Sequence, residues 1–254
     1  GVELSVISVG GIRETAWVRA LSKADLPMIG ELELGSQKLR CLNIAVTGTN
    51  GKTPAAKLIE QVLIGAQRET RLAGKVDYPI CDAVEESKEL DYLILAVNSF
   101  QLELTQFFSP TVAVVTNIAP DHMDHYGSMA EYVKAKARIF ANQQPFDWAI
   151  IQSEALAQIR SLGIEIPSKI INFSASNRRA DISLDRGLIV SRVPGWEGPL
   201  MDFTECQLQG AHNAEILMAA LAVGRVFRIP LEQSVDILRN HPPLPHRCEL
   251  VAEL

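Results

Sequence analysis

The hexapeptide Gly48-Thr49-Asn50-Gly51-Lys52-Thr53 constrains this chain more than any other feature, because of what flanks it. It follows the apolar run Asn43–Thr47 directly and precedes a segment in which Ala55, Ala56, Ile59, Val62 and Leu63 recur at helical spacing. Strand, glycine-rich loop, Lys-Thr and helix, in that order, make a phosphate-binding loop. Glycines let backbone N–H groups point into the loop, and the helix N-terminus favours an anion. In such a loop Lys52 reaches the β- and γ-phosphates and Thr53 offers a hydroxyl to Mg²⁺. The bland alternative is a glycine-rich turn with a solvated lysine, and the surrounding order of elements disfavours it.

The rest of the chain supplies the matching frame. Short Val- and Ile-rich runs, Leu4–Ser8, Asn43–Thr47, Tyr92–Val97, Val112–Asn117, Trp148–Gln152 and Ile170–Phe173, alternate with helix-period segments. The central runs are apolar throughout, as parallel strands covered on both faces are. The expected class is therefore α/β: a mainly parallel sheet of six or so strands, carrying the phosphate loop and flanked by helices. Tyr132, Val133, Ile139 and Phe140 mark one such helix, and His212–Phe227 and Leu231–Arg239 two more. From Asp181 the texture changes to a hairpin turning at Asp185-Arg186-Gly187, so a small antiparallel patch is expected as far as Gln209. His241-Pro-Pro-Leu-Pro245 cannot continue a helix and reads as a linker. The first forty residues offer one strand, the helix Glu14–Ser22 and one short strand, which cannot close a domain alone.

Composition excludes several classes. At 254 residues the chain is long enough for one large core or two unequal domains. No apolar run approaches the ~20 residues of a spanning helix, and Gly1-Val2-Glu3 lacks the basic start of a secretory signal, so no membrane partner and a cytoplasmic location are expected. A net charge of −6 argues against nucleic acid as the main partner. Cys41, Cys81, Cys206 and Cys248 form no Cys-x-x-Cys pair and read as reduced thiols.

The loop is shorter than the general phosphate-loop pattern, because Thr47 stands where that pattern has a glycine. Thr47-Gly-Thr-Asn-Gly-Lys-Thr53 instead resembles the form found in Mur ligases and the related folylpolyglutamate synthetases. Ser99-Phe-Gln-Leu-Glu103, Asn117-Ile-Ala-Pro-Asp-His-Met-Asp124, Gly210-Ala-His-Asn213 and Leu244-Pro-His-Arg-Cys-Glu-Leu-Val251 follow in the order seen in those ligases. The first and last of these resemble the D-glutamate-adding branch in particular. The likeness runs from about Ile29 to Leu254. It implies three regions: residues 1–38 as a remnant of an N-terminal UDP-substrate domain, 39–240 as a central ATP-binding domain, and 241–254 as the linker and start of a C-terminal domain.

The resemblance also implies an activity. In that branch ATP phosphorylates the carboxylate of a UDP-sugar peptide precursor, and the amine of D-glutamate attacks the resulting acyl phosphate, a reaction of peptidoglycan precursor synthesis. Carried over, the nucleotide site comprises Gly48, Thr49, Asn50, Gly51, Lys52, Thr53, Asn213 and Arg247. The metal site comprises Thr53, His122 and Lys136, with Lys136 carbamylated by CO₂, and the catalytic group comprises Lys52, His122 and Lys136. Lys134 and Arg138 read as ordinary solvated cations, and a monomer is expected. Three positions depart from the pattern: Ala96 stands where an acidic metal ligand belongs, Lys75 where an asparagine contacts the UDP-sugar, and Ile216 where an asparagine lies near adenine. An alanine cannot coordinate Mg²⁺. The competing readings are a catalytically weakened relative that binds nucleotide or precursor, and an unrelated phosphate-loop ATPase or kinase.

Overall fold

The computed structural model describes residues 3–7, 20–21, 23–24, 26–74 and 78–242. Lys75, Arg247, Cys248, most of Glu14–Ser22 and the linker beyond Pro242 lie outside the described residues. Near the start, β1 (Ser5–Ile7) and β2 (Met28–Gly30) pair in parallel as a separate two-stranded sheet, followed by α1 (Glu31–Ser36).

The main body is one nine-stranded sheet. Its strands are β3 (Leu42–Thr47), β4 (Thr70–Ala73), β5 (Tyr92–Ala96), β6 (Val112–Val115), β7 (Trp148–Gln152), β8 (Lys169–Ser174), β9 (Ile182–Asp185), β10 (Leu188–Ser191) and β11 (Gly198–Asp202). The spatial order is β11-β10-β9-β8-β7-β6-β3-β5-β4. From β4 to β9 all neighbours run parallel, and only β10 and β11 are antiparallel. The antiparallel patch thus extends the main sheet through β9. Its hairpin turns on Arg186 and Gly187, both at positive φ (51° and 86°), as a two-residue turn matched to the strand twist requires.

Between the strands lie α2 (Lys52–Gly65), α3 (Ile80–Ala83), α4 (Ser99–Glu103), α5 (Met129–Ala137) and α6 (Ser153–Ser161), and after the last strand come α7 (Ala211–Val226) and α8 (Leu231–Arg239). Alternate strand residues feed two cores. Ile44, Val46, Ile94, Val112, Val114 and Ile150 point to the face covered by α2, α7 and α8. Ala45, Leu93, Leu95, Ala113, Val115, Ala149 and Ile151 point to the other, with Tyr132 and Phe140. On that second face the register aligns Ala45, Ala113 and Ala149 across three neighbouring strands, and this shallow row leaves volume for the aromatic side chains. Of the eleven residues of α7 from Ala214 to Gly224, all but Glu215 are buried, so it is an internal helix with little amphipathic character.

The topology fixes where a ligand can bind. From β3 the chain crosses to β4 at one edge, whereas from adjacent β6 it crosses to β7 on the opposite side. Such a reversal opens a crevice at the carboxyl ends of the two strands, which is where α/β sheets take their ligands. Residues 48–53 leave β3 there, and residues 116–126 leave β6 there.

Candidate active site

Two helix N-termini meet at this crevice. Gly51 caps α2 with φ 78°, a conformation that suits glycine, and Pro54 falls in the first turn where it costs no helical hydrogen bond. The first turn of α2 therefore directs backbone N–H groups out of the helix end. The N-terminus of α7 abuts it: a side chain at Gly51 would meet His212 Cε1 at 2.9 Å and Ile216 Cδ1 at 3.2 Å. Asn213, in the same first turn of α7, donates to the Gln209 carbonyl (2.8 Å).

The loop itself is held from β6. Thr49 N–H donates to the Asn117 carbonyl (3.0 Å), and the Asn117 side chain both accepts from Asn50 N–H (2.9 Å) and donates to the Asn50 carbonyl (3.0 Å). Thr116 Oγ1 donates to that same carbonyl at 2.6 Å. Thr49 Oγ1 donates to the Ala119 carbonyl and accepts from Ala119 N–H, both at 3.0 Å, and lies 3.2 Å from the buried Tyr132 hydroxyl. Gly48 is required by packing, since a Cβ there would stand 2.0 Å from Thr116 Oγ1 at φ 156°. Thr116, Asn117 and Tyr132 were not among the predicted site residues. Their signal was the Thr-Asn pair ending an apolar run beside the phosphate loop, and a tyrosine on the inner face of α5.

Two amines converge on one oxygen. Lys52 Nζ donates to the Gly48 carbonyl (2.8 Å) and the Thr49 carbonyl (3.1 Å), and Lys136 Nζ donates to the Gly48 carbonyl from the opposite side of the sequence (3.0 Å). Lys136 is 2% exposed. Burial, then the neighbouring Lys52 charge, bring its pKa down to about 7, with Asp121 opposing. Lys134 on the same helix is exposed, as expected. Arg138 is exposed too, and in addition its guanidinium donates to the Leu102 carbonyl (2.8 Å) and to the Thr105 carbonyl, joining the end of α5 to the end of α4.

His122 sits in the loop after β6 with φ 55°. Its Nε2 lies 3.5 Å from Asp121 Oδ2, its ring packs 4.9 Å from that of Phe100, and Tyr132 stands 6.5 Å away. Asp124 is exposed. Ala96 ends β5 opposite Val46, with no donor atom to offer a metal. Glu103, the last residue of α4, is held 3.1 Å from His125 Nε2. Ile216 is buried and packs over Gly51.

Known proteins resemble this chain in sequence and in fold. The Mur ligase middle domain matches residues 46–224, well over half of the chain. The chain is 36% identical over 255 residues to the UDP-N-acetylmuramoylalanine–D-glutamate ligase of Pelotomaculum thermopropionicum, covering 100% of this chain and 56% of that one. It is 31% identical to the same ligase of Clostridioides difficile, again over 100% of this chain and 56% of the relative. The chain thus spans about half the length of these curated relatives. In fold it is similar to the MurF ligase from Thermotoga maritima in complex with ADP (TM-score 0.66, 15% identity, 97% of this chain and 65% of that one). A UDP-N-acetylmuramoyl-L-alanyl-D-glutamate–2,6-diaminopimelate ligase aligns with TM-score 0.67 at 21% identity, over 96% of this chain and 61% of that one. By its middle-domain match and its whole-chain likeness to these enzymes, the chain belongs to the Mur ligase family.

Proposed function

We propose that residues 39–240 are the ATP-binding core of a cytoplasmic ligase that adds D-glutamate to UDP-N-acetylmuramoyl-L-alanine through an acyl phosphate. The observation that carries this reading is the Gly48–Thr53 loop at the N-terminus of α2, braced by Thr116 and Asn117 and furnished with two amines. Lys52 holds the β- and γ-phosphates, and the backbone of Gly48 to Thr53 cradles them. The first turn of α7 closes the nucleotide side, with Asn213 toward the base, and Arg247 reaches the ribose or phosphate from the linker. His122 lines the γ-phosphate end. Phosphoryl transfer needs positioning and charge neutralisation above all, and these groups supply both.

The family resemblance implies two Mg²⁺ positions, the first at Thr53 and the second at His122 and Lys136, and Mg²⁺ fits the first and not the second. The Thr53 hydroxyl, in the first turn of α2, is the residue that would hold it beside the phosphates, and Mg²⁺ when bound there neutralises phosphate charge. At the second position Ala96 leaves His122 and Lys136 without the carboxylate that a divalent ion needs. That loss favours the second reading, a weakened relative that binds nucleotide or precursor without efficient turnover. The UDP-sugar domain before residue 39 and a C-terminal domain after the linker complete the enzyme under the first reading.

Calorimetric titration of ATP with Mg²⁺ tests the site: the unmodified protein binds, and Lys52→Ala weakens binding at least tenfold, about 1.4 kcal/mol. Equal affinity in the two proteins refutes the phosphate-loop assignment. Phosphate release by the full-length protein with UDP-N-acetylmuramoyl-L-alanine and D-glutamate separates the two readings, since only the ligase releases phosphate in step with both substrates.

A further inference from the structure

The turn after β6 carries two histidines. The His122 carbonyl accepts both His125 N–H and Tyr126 N–H, each at 3.0 Å, so the two imidazoles spring from one tight bend. His122 holds φ 55°, uncommon for a residue with a side chain, and that side chain is 44% exposed at the crevice. An imidazole so placed has several rotamers open to it, and holding one of them costs entropy. Asp121 Oδ2, at 3.5 Å from Nε2, restrains a single ring atom, and weakly.

The face of the ring is held by Phe100. The two ring centroids are 4.9 Å apart at 55°, within the ~4.5–7 Å over which aromatic rings attract. Phe100 is half-buried and boxed in on its other sides. The His125 ring meets it edge-on (4.8 Å, 89°), and the buried Tyr126 ring lies nearly parallel to it (5.9 Å, 12°). His125 is fixed in turn by Glu103, 3.1 Å from its Nε2, in a pair whose side chains are 11% and 13% exposed. The backbone on either side of Phe100 is locked as well, because Asn98 and Gln101 exchange side-chain to backbone hydrogen bonds at 2.9 Å across it. Tyr126 continues the cluster to Tyr132 (5.0 Å), whose hydroxyl lies 3.2 Å from Thr49 of the phosphate loop.

We propose that Phe100 is a positioning residue: its ring, backed by His125 and Glu103, sets the orientation of the His122 imidazole at the γ-phosphate end of the crevice. This rests on the reading of His122 given above and goes beyond it by naming what aims the ring. A leucine at this position fills much of the same volume but offers no flat face, whereas a tyrosine keeps the face.

The test uses the full-length protein with ¹³C-labelled histidine, the His122 ring signals being identified by their loss in His122→Gln. In the unmodified protein with Mg²⁺, those signals are expected to differ between ADP and the β,γ-methylene analogue of ATP, a difference that reads the γ-phosphate. Phe100→Leu should shrink the difference at least threefold while ADP affinity by calorimetry stays within twofold, and Phe100→Tyr should restore most of it. A full difference in Phe100→Leu overturns the proposal, as does a Phe100→Tyr protein that responds no better than Phe100→Leu. One measurement needs no variant at position 100 and so survives any failure to fold. In the unmodified protein, NOEs should join the Phe100 and His122 ring protons with His122 in a single rotamer, and rotamer averaging overturns the proposal. If the His122 signals of the unmodified protein do not distinguish the analogue from ADP, the reading of His122 fails and this inference falls with it; a γ-phosphate response that survives loss of the Phe100 ring defeats this inference alone.

Discussion

The two sides of the crevice use buried polar groups for opposite ends. On the β3–β6 side, Thr49, Thr116, Asn117 and Lys136 hold a loop that faces the crevice. On the β5 side, polar groups turn inward to the fold. Asn98 and Gln101 close a capping box at the start of α4, and Gln101 Nε2 donates to the Gly74 carbonyl (3.4 Å). Glu33 of α1, fully buried, accepts backbone N–H groups of Gln106, Phe107 and Phe108 at 2.9–3.1 Å and the Gln37 amide at 2.6 Å. The difference teaches that the polar groups on the β3–β6 side brace an open loop, whereas those on the β5 side brace the fold around a strand end that is apolar at Ala96.

Substitutions on each side should separate stability from binding. The largest effect is expected at Glu33→Ala, which leaves three backbone N–H groups buried without their acceptor. Chemical denaturation should show a loss of about 3–5 kcal/mol, with ATP affinity unchanged in the folded fraction. A weakened ATP affinity there would erase the contrast between the sides. Next comes Gly48→Ala, whose Cβ would collide with Thr116 Oγ1. Displacing the loop should cut ATP affinity about a hundredfold, roughly 3 kcal/mol, and calorimetry showing less than threefold loss would break the cradle side of the comparison.

Lys136 links stability to pH with a definite sign. Its folded pKa of about 7 lies below the ordinary lysine value of 10.5, so between those pH values the unfolded chain binds a proton that the native chain does not. The native state therefore gains stability as pH rises from about 7 to 10.5, and the cost of burying the amine is fully present below that window. Lys136→Met should remove the cost: at pH 7 the variant is expected to be about 2 kcal/mol more stable in urea, with the gap closing toward pH 10.5. A gap that widens with pH would contradict the burial seen here.

Much of this was legible in the chain, and the exceptions have physical causes. Trp148–Gln152 and Leu231–Arg239 match their elements to the residue, because apolar patterning and flanking turns mark both ends. Strand β4 was missed, since Thr70-Arg-Leu-Ala73 is an edge strand with too few apolar residues to show a period. The register that aligns Ala45, Ala113 and Ala149 is a tertiary fact, invisible along the chain. In the site, the strand-loop-helix order located Lys52 and Thr53 without coordinates. Lys136 differs from Lys134 only by its place beside Tyr132 and Val133 on the inner face of α5, whereas the carbonyls that Arg138 meets come from another element.

The smallest effect is expected on the side that has lost its polar end. Ala96 is 9% exposed at the crevice end of β5, in register with Val46 of the strand that leads into the phosphate loop. Ala96→Glu returns a carboxylate to that position, but one added charge does not rebuild a site whose remaining donors are an exposed histidine and an amine. Mg²⁺ keeps several of its waters and takes few protein ligands, so the gain is charge neutralisation more than coordination. ATP affinity measured across Mg²⁺ concentrations should become about threefold more dependent on the metal, under 1 kcal/mol, and turnover of the full-length protein should rise if the weakened-enzyme reading holds. Robust turnover in the unmodified protein with no gain from Ala96→Glu would mean that another carboxylate already serves the metal, and that the apolar end of β5 is no loss at all.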